Sequence, residues 1–373
     1  MKKICHMSSA HYGLDIRIFL KECVSLAAAG YDTHLVINAT VADAKEAAAY
    51  GVTLHPLNYV PVSKRFSRMS VHAWRCYATA RELDADLYHF HDPELIPYGL
   101  LLARRGKQVI FDAHEDLPGE IYSKDWVPLP ARRMLAGAAR WLENHGAAHI
   151  AAVVAATPYI GSLFEGPAKR VEVINNYPLI GELVPQEHEI AGPRDSVCYV
   201  GGIDDIRGIR EVIQAIGRTP SRLLLAGKFA KDALRSEVMR YVGWSQVKEY
   251  GFVDRKKISE IMARSFSGLV TLHQVPNFVN SQPIKMFEYM SAGVPVIASD
   301  FPLWREVIDG NECGICVDQN DPESIAAAIR HLHERPEEVV RMGENGRRAI
   351  QSKYRWDCEE KKLIALYRDL LGS

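Results

Sequence analysis

The chain has 373 residues, with 45 Lys plus Arg against 46 Asp plus Glu and a formal net charge of −1. At about 100–200 residues per domain, that length makes two domains, each large enough to bury its own core. Hydrophobic residues at 47% and charged residues at 24% exclude a disordered, collagenous or coiled-coil chain, and near-neutrality excludes wholesale nucleic-acid binding, which needs a basic excess.

The opening residues KICHM (3–7) predict a strand, followed by a Ser/Gly loop and a helical pattern, Ile18-Phe19-Cys23-Leu26-Ala27, that ends at Gly30. THLVI (33–37) is the next strand, so the first unit is βαβ with a parallel sheet. The rhythm continues through strands at 86–90, 108–112, 151–157 and 171–176. Residues 179–193, rich in Glu and Pro, read as a linker. The same rhythm then restarts at SVCYV (196–200), with further strands at 222–227, 246–252, 268–272, 294–299 and 314–317. The expectation is an α/β protein of two Rossmann-like domains, 1–178 and 194–357, facing each other across a cleft. In doubly wound sheets ligands bind beyond the carboxyl ends of the strands.

Seven scattered cysteines, an odd number, point to a reduced, cytoplasmic chain rather than a disulfide framework. Cys313-Gly-Ile-Cys316 has zinc-knuckle spacing but no second pair at ligand distance. The apolar stretch behind Met1-Lys2-Lys3 is broken by His6, Ser8 and Ser9, so no signal peptide is expected. No apolar run approaches the roughly 20 residues of a spanning helix.

The most informative stretch is NSQPIKMFEYMSAGVPVIASD (280–300). Asn280 or Ser281 is a candidate helix cap, Pro283 suits the first turn, and Gly293 with Pro295 ends the helix before a strand. The free N–H groups at such a helix start attract phosphate, and Lys285 adds a full charge. Glu288, a turn deeper, is an acceptor suited to a sugar diol. A capped amphipathic helix with a surface Lys and Glu explains the same spacing.

Pro283-x-Lys285-x-x-Glu288-Tyr289-x-x-Ala292-Gly293-x-Pro295-Val296 resembles the donor-binding signature of GT-B glycosyltransferases of family GT4, a retaining group that builds polysaccharide and lipopolysaccharide. Tyr199-Val200-Gly201-Gly202 with Arg207-Gly208 resembles the family's glycine loop and its diphosphate-holding basic residue. Tyr250-Gly251-Phe252-Val253 resembles the loop that receives the base. Asp112-Ala113-His114-Glu115 resembles the segment whose His faces donor sugar and acceptor, and His89-Phe90-His91-Asp92-Pro93-Glu94 with His11 to Arg17 resembles a bacterial polysaccharide subgroup. The resemblance also implies that a last helix, 358–371, crosses back to the first domain. Two positions depart from it: Asn280 stands where a second carboxylate is usual, and Gly202 where Arg is usual.

The resemblance implies a retaining transfer of sugar from a nucleotide-diphosphate donor to a saccharide carried on polyprenyl diphosphate. Donor contacts fall to Gly13, Gly201, Gly202, Arg207, Gly251, Phe252, Val253, Asn280, Ser281, Lys285 and Glu288. Acceptor contacts fall to Asp15, Arg17, His91, Asp92, His114 and Glu115, and His114, Arg207 and Glu288 carry the catalytic roles. No metal or other cofactor is expected: His89 with His91, and His114 with Glu115, read as polar rims at sheet ends, and Asp84-Ala85-Asp86 as a coincidence of spacing. The alternatives are a GT-B-fold epimerase or hydrolase of nucleotide sugars, and a non-catalytic partner subunit. A dehydrogenase is disfavoured because neither glycine loop has Gly-x-Gly-x-x-Gly spacing.

From residue 47 to 81 there is no Asp or Glu, while Lys64, Arg65 and Arg68 lie among Phe66 and Trp74. Basic residues interleaved with aromatics suit an anionic membrane surface, at about 1 kcal/mol per Lys or Arg. A solvated helix face over a packed Trp74 is the competing reading. Arg132, Arg133, Arg140 and Trp141 extend the same pattern.

Overall fold

The computed structural model describes residues 1–57, 68–122, 127–181, 183 and 194–372. It divides into two compact units, Met1–Asn176 with Trp356–Ser373, and Tyr177–Arg355. The 179–193 linker lies almost wholly outside the described residues.

Among its described residues the first unit holds seven strands: β1 (Lys3–Tyr12), β2 (Asp32–Asn38), β3 (Val52–Pro56), β4 (Leu87–Phe90), β5 (Gln108–Ala113), β6 (Ala152–Ala155) and β7 (Val171–Val173). Their order is β3-β2-β1-β4-β5-β6-β7, every pairing parallel. The strand reading of the sequence lacks β3. Its Val52 and Leu54 are buried while Thr53 is exposed, but the run is only five residues long and ends in Pro56. A proline is tolerated there because β3 is the sheet edge.

The second unit repeats the topology with β8 (Ser196–Val200), β9 (Arg222–Ala226), β10 (Val247–Gly251), β11 (Ser265–Val270), β12 (Val296–Ser299) and β13 (Gly314–Val317), in the order β10-β9-β8-β11-β12-β13. Both faces are covered, as a parallel sheet requires. Met286, Tyr289 and Trp304 belong to one core, and Val212, Ile213, Ile325 and Ile329 to the other. In each sheet the strand order reverses beside the first strand, between β1 and β4 and between β8 and β11. Those crevices are where side chains from consecutive loops meet.

The last helix, Trp356–Leu371, completes the first unit. Trp356 is buried and its indole N–H donates to Ser25 Oγ at 2.9 Å. Glu359 accepts from the Asn175 N–H at 2.8 Å, and Tyr367 reaches the imidazoles of His6 and His89. Trp356→Ala removes a fully packed indole and leaves Ser25 unpaired. Urea unfolding of this variant is expected to show a loss of about 3–5 kcal/mol.

Candidate active site

At the β1–β4 crevice the first unit gathers charge rather than apolar bulk. The helix after β1 (Ile16–Cys23) is capped by Asp15, whose carboxylate accepts from the Arg17 and Ile18 N–H groups. Its first turns wind wide, with the Leu20 N–H reaching the Asp15 carbonyl at 3.1 Å. This turns Arg17, Lys21 and Glu22 inward, and all three are buried. Arg17 forks onto Asp112 through Nε (3.0 Å) and Nη2 (2.8 Å) and spends Nη1 on the Ile174 carbonyl. Burial alone would raise the Asp112 pKa. The Arg17 charge, with hydrogen bonds from His114 and His91, instead holds it well below the usual carboxylate range.

Asp112 in turn orients two imidazoles. His91 Nδ1 lies 3.1 Å and His114 Nε2 3.0 Å from its Oδ2. His91 is fully enclosed, whereas His114 keeps a fifth of its side chain exposed. Asp92 works on the loop backbone, accepting from Ser8 Oγ (2.8 Å) and the N–H groups of Ser9 (2.6 Å) and Ala10 (3.2 Å). Burial opposes its ionisation, but His11, Ser8 and Ser9 bring its pKa down to about 2. Of the residues expected to touch acceptor, Arg17, His91 and Asp92 therefore sit inside the fold. His114 and the exposed Glu115 are at the rim, and Asp15 is engaged as a cap. Gly13 takes a left-handed turn (φ +52°) and donates to the Asn38 carbonyl at 2.6 Å.

The second unit places the glycine loop directly after β8. Gly201 has φ +118°, and its carbonyl lies so close to Gly227 that a Cβ there would stand 1.8 Å away. Gly208 (φ +73°) backs onto the Thr271 carbonyl, where a Cβ would stand at 2.1 Å, so the loop is seated on the end of β11. Arg207, held in this turn, lies over Gly202 and 5.9 Å from the Phe278 ring.

The helix over 280–292 starts later than its sequence suggests. It runs Ile284–Ala292 with Pro283 at the N-cap position and no side-chain cap. Asn280 instead ends the short helix Pro276–Val279, and Ser281 Oγ donates to the Phe278 carbonyl. The capping role expected of Asn280 or Ser281 is thus not made, because both belong to the preceding turn. Gly293 ends the helix in the left-handed conformation.

Lys285 is buried, its Nζ 3.9 Å over the Tyr199 ring and without a hydrogen-bond partner. Burial, with the nearby Arg207 charge adding to it, pulls the amine down to about 7. Glu288 is also buried and accepts from Arg255 Nη1 at 2.6 Å. Asn277 Oδ1 and Gln282 Oε1 are further buried oxygens without a partner. Gly251 turns left-handed (φ +68°), and Phe252 beyond it is 89% exposed. Unpaired buried polar atoms are costly, so these oxygens and the Lys285 amine are candidate ligand contacts. Arg255, Asn277 and Gln282 escape sequence reasoning: they carry no motif of their own, and Arg255 becomes visible only as the partner of Glu288, Asn277 and Gln282 only as buried amide oxygens without one.

The basic segment is only partly visible. Lys64, Arg65 and Phe66 lie outside the described residues, as does the side chain of Arg68. Trp74 is half exposed and packs beside Tyr77 and Tyr98. On the helix Leu129–His149, Met134 and Trp141 are 69% and 66% exposed. Arg132 is bonded to the Val127 carbonyl and Arg140 to Asp116, and Arg133 is exposed. Among the described residues no helix is long and apolar enough to cross a membrane.

Two successive parallel-sheet units of this topology, the second with its glycine loop at the switch point, define the GT-B class of glycosyltransferase fold. Residues 19–177 match the model described as Glycosyltransferase Family 4, and residues 181–349 the one described as Glycosyl transferases group 1, so the chain belongs to the GT4 glycosyltransferase family. It is 24% identical over 186 residues to D-inositol 3-phosphate glycosyltransferase of Corynebacterium glutamicum, covering 48% of this chain and 44% of that protein. It is 29% identical over 104 residues to the lipopolysaccharide core biosynthesis mannosyltransferase of Rhizobium leguminosarum, covering 28% of this chain and 30% of that one. These matches span less than half the length of either relative. Sucrose-phosphate synthase from Thermosynechococcus elongatus shares the fold over 100% of both chains, with a TM-score of 0.79 at 19% identity.

Replacing Asp112 with Asn strands the buried Arg17 charge and unpins both imidazoles. Denaturant unfolding at pH 7 is expected to show a loss of about 3–5 kcal/mol. Because Asp92 and Asp112 are held below the unfolded value of about 3.9, their stabilisation is complete above that pH. It is lost as pH falls through the folded values, which for Asp92 is about 2. A wild-type stability that stayed flat from pH 5 to pH 2 would contradict this.

Proposed function

We propose that the chain is a retaining glycosyltransferase that moves a sugar from a nucleotide-diphosphate donor to a saccharide, on a lipid-linked carrier, in cell-surface polysaccharide or lipopolysaccharide synthesis. The observation that carries this reading is Lys285, a buried amine without a hydrogen-bond partner, close enough to Arg207 for each charge to disfavour the other. Such a pair is poor company for itself and good company for a diphosphate. Arg207 supplies a forked donor and Lys285 a point charge, and together they stabilise the negative charge that grows on the leaving group. Glu288, steadied by Arg255, takes the ribose hydroxyls, and the exposed Phe252 with Gly251 and Val253 receives the base.

We assign His114, fixed by Asp112, to the acceptor, together with Glu115 and the loop at Gly13 in the same unit. The acceptor hydroxyl attacks from the face the diphosphate leaves, and the departing phosphate takes the proton, so the reaction draws on no metal or cofactor. The Rhizobium relative, named for lipopolysaccharide core synthesis, favours a lipid-linked acceptor. The exposed Met134 and Trp141 with Arg133 favour an anionic membrane surface, and with it a peripheral place on the cytoplasmic face.

A second reading rests on Asn280, an amide where the family usually has a carboxylate: a subunit that binds donor and activates a partner. Incubating the purified chain with sugar-labelled nucleotide donors and lipid-linked acceptors separates the cases. Labelled product supports transfer, free nucleotide with free sugar indicates a hydrolase, an isomerised donor indicates an epimerase, and binding without turnover indicates the subunit.

The donor site has a pH signature. Above about pH 7 Lys285 must take up a proton to meet the diphosphate, so nucleotide-sugar affinity is expected to fall with rising pH, by at most about tenfold per unit. Calorimetry on Lys285→Met should find weaker binding without that slope. Arg207→Ala is expected to weaken binding and turnover together, and unchanged affinity would remove Arg207 from the diphosphate. Co-sedimentation with anionic liposomes, strong for wild type and lost in a Trp141→Ser/Arg133→Ser double variant, tests the membrane face.

A further inference from the structure

Glu22 is fully buried, and neither of its carboxylate oxygens accepts a hydrogen bond within the protein. Arg17 Nε stands 3.2 Å from Oε1, but this one guanidinium already forks onto Asp112, so one cation serves two buried carboxylates. Oε2 faces three imidazoles, with His6 Nδ1 at 3.8 Å, His91 Nε2 at 3.9 Å and His89 Nδ1 at 3.9 Å. These separations are too long for hydrogen bonds. They are the separations of atoms that share an ion.

Glu22 Oε2, His6 Nδ1 and His91 Nε2 form a triangle with sides of 3.8, 3.9 and 3.0 Å, the shortest being a hydrogen bond between the two imidazoles that an ion would replace. The point equidistant from its corners lies about 2.1 Å from each, which is the bond length of zinc to imidazole nitrogen or carboxylate oxygen. The outer nitrogens are held as metal-bound imidazoles are held. His91 Nδ1 is 3.1 Å from Asp112 Oδ2, and His6 Nε2 is 2.9 Å from the Tyr367 hydroxyl. With protons on those outer nitrogens, the inner lone pairs converge on one point.

We propose that His6, His91 and Glu22 hold one divalent transition-metal ion of the zinc class, with the His89 ring in the same cluster and its Nδ1 bonded to the Tyr367 hydroxyl. Two imidazoles and a carboxylate are a ligand set such ions take. Because the ligand side chains have no exposed surface, the ion is structural. It ties β1, the residue after β4 and the helix that carries Arg17 into one body, two hydrogen-bond links from His114. No step of sugar transfer passes through it. The ion enters as the chain folds, since a closed site of this kind does not exist in the unfolded chain.

The rival source of positive charge is a proton on Glu22, and one substitution separates the two. Elemental analysis of the purified full chain is expected to find about one equivalent of transition metal. Refolding in Co²⁺ is expected to give the visible bands of a nitrogen- and oxygen-ligated ion. Glu22→Gln should lose the metal and melt below wild type. A wild-type chain that holds less than about a tenth of an equivalent after refolding in excess Zn²⁺ overturns the proposal. So does a Glu22→Gln chain that melts at or above wild type, because Gln reproduces a protonated acid in shape. Should Glu22→Gln not fold, the metal content and cobalt spectrum of wild type decide alone.

Discussion

The fork of Arg17 onto Asp112 is the contact on which the chemistry of the first unit rests. Both groups are out of water, where an unpaired charge costs several kcal/mol, so each offsets the burial of the other. Everything polar around them takes its orientation from that pair. Asp112, fixed as an acceptor, makes His91 and His114 present N–H groups to it. In this way one ion pair orients an enclosed imidazole and one at the rim.

The second unit uses the opposite device. Where the first unit pairs Arg17 with Asp112, the second leaves Lys285, Asn277 and Gln282 short of partners and packs glycine backbone against backbone at Gly201–Gly227 and Gly208–Thr271 to bring the loops close. A lysine held near 7 while its unfolded value is about 10.4 means the ligand-free fold gains stability as pH rises through that window. In the proposed donor complex the dependence reverses, because a diphosphate favours the protonated amine.

How much of this the sequence discloses depends on distance along the chain. The strand rhythm, the Gly201-Gly202 turn and the Lys285 to Glu288 spacing are local patterns, and they are legible. The edge strand β3 is too short and too mixed to announce itself. Arg17, Lys21 and Glu22 lie on a helix whose apolar stripe reads correctly, yet all three polar residues point inward. Periodicity sorts residues by polarity and cannot see that a charge has a buried partner 95 residues away, as Arg17 has in Asp112. Likewise His6, His89 and Tyr367 meet through the topology alone: β1, β4 and the last helix are consecutive in space and far apart in sequence.

The return of the last helix to the first unit has a consequence for synthesis. Residues 177–355 form a contiguous unit and can complete their fold as soon as they emerge. The first unit is translated earlier but lacks residues 356–371 until the second unit has been made, leaving the faces of Ser25, His6 and His89 that meet Trp356 and Tyr367 open meanwhile. At ribosomal rates of about 5–20 residues per second, that interval lasts on the order of ten seconds or more. The order of maturation of the two units is therefore the reverse of the order in which they begin to be translated, and loss of residues 356–371 damages the unit that starts first.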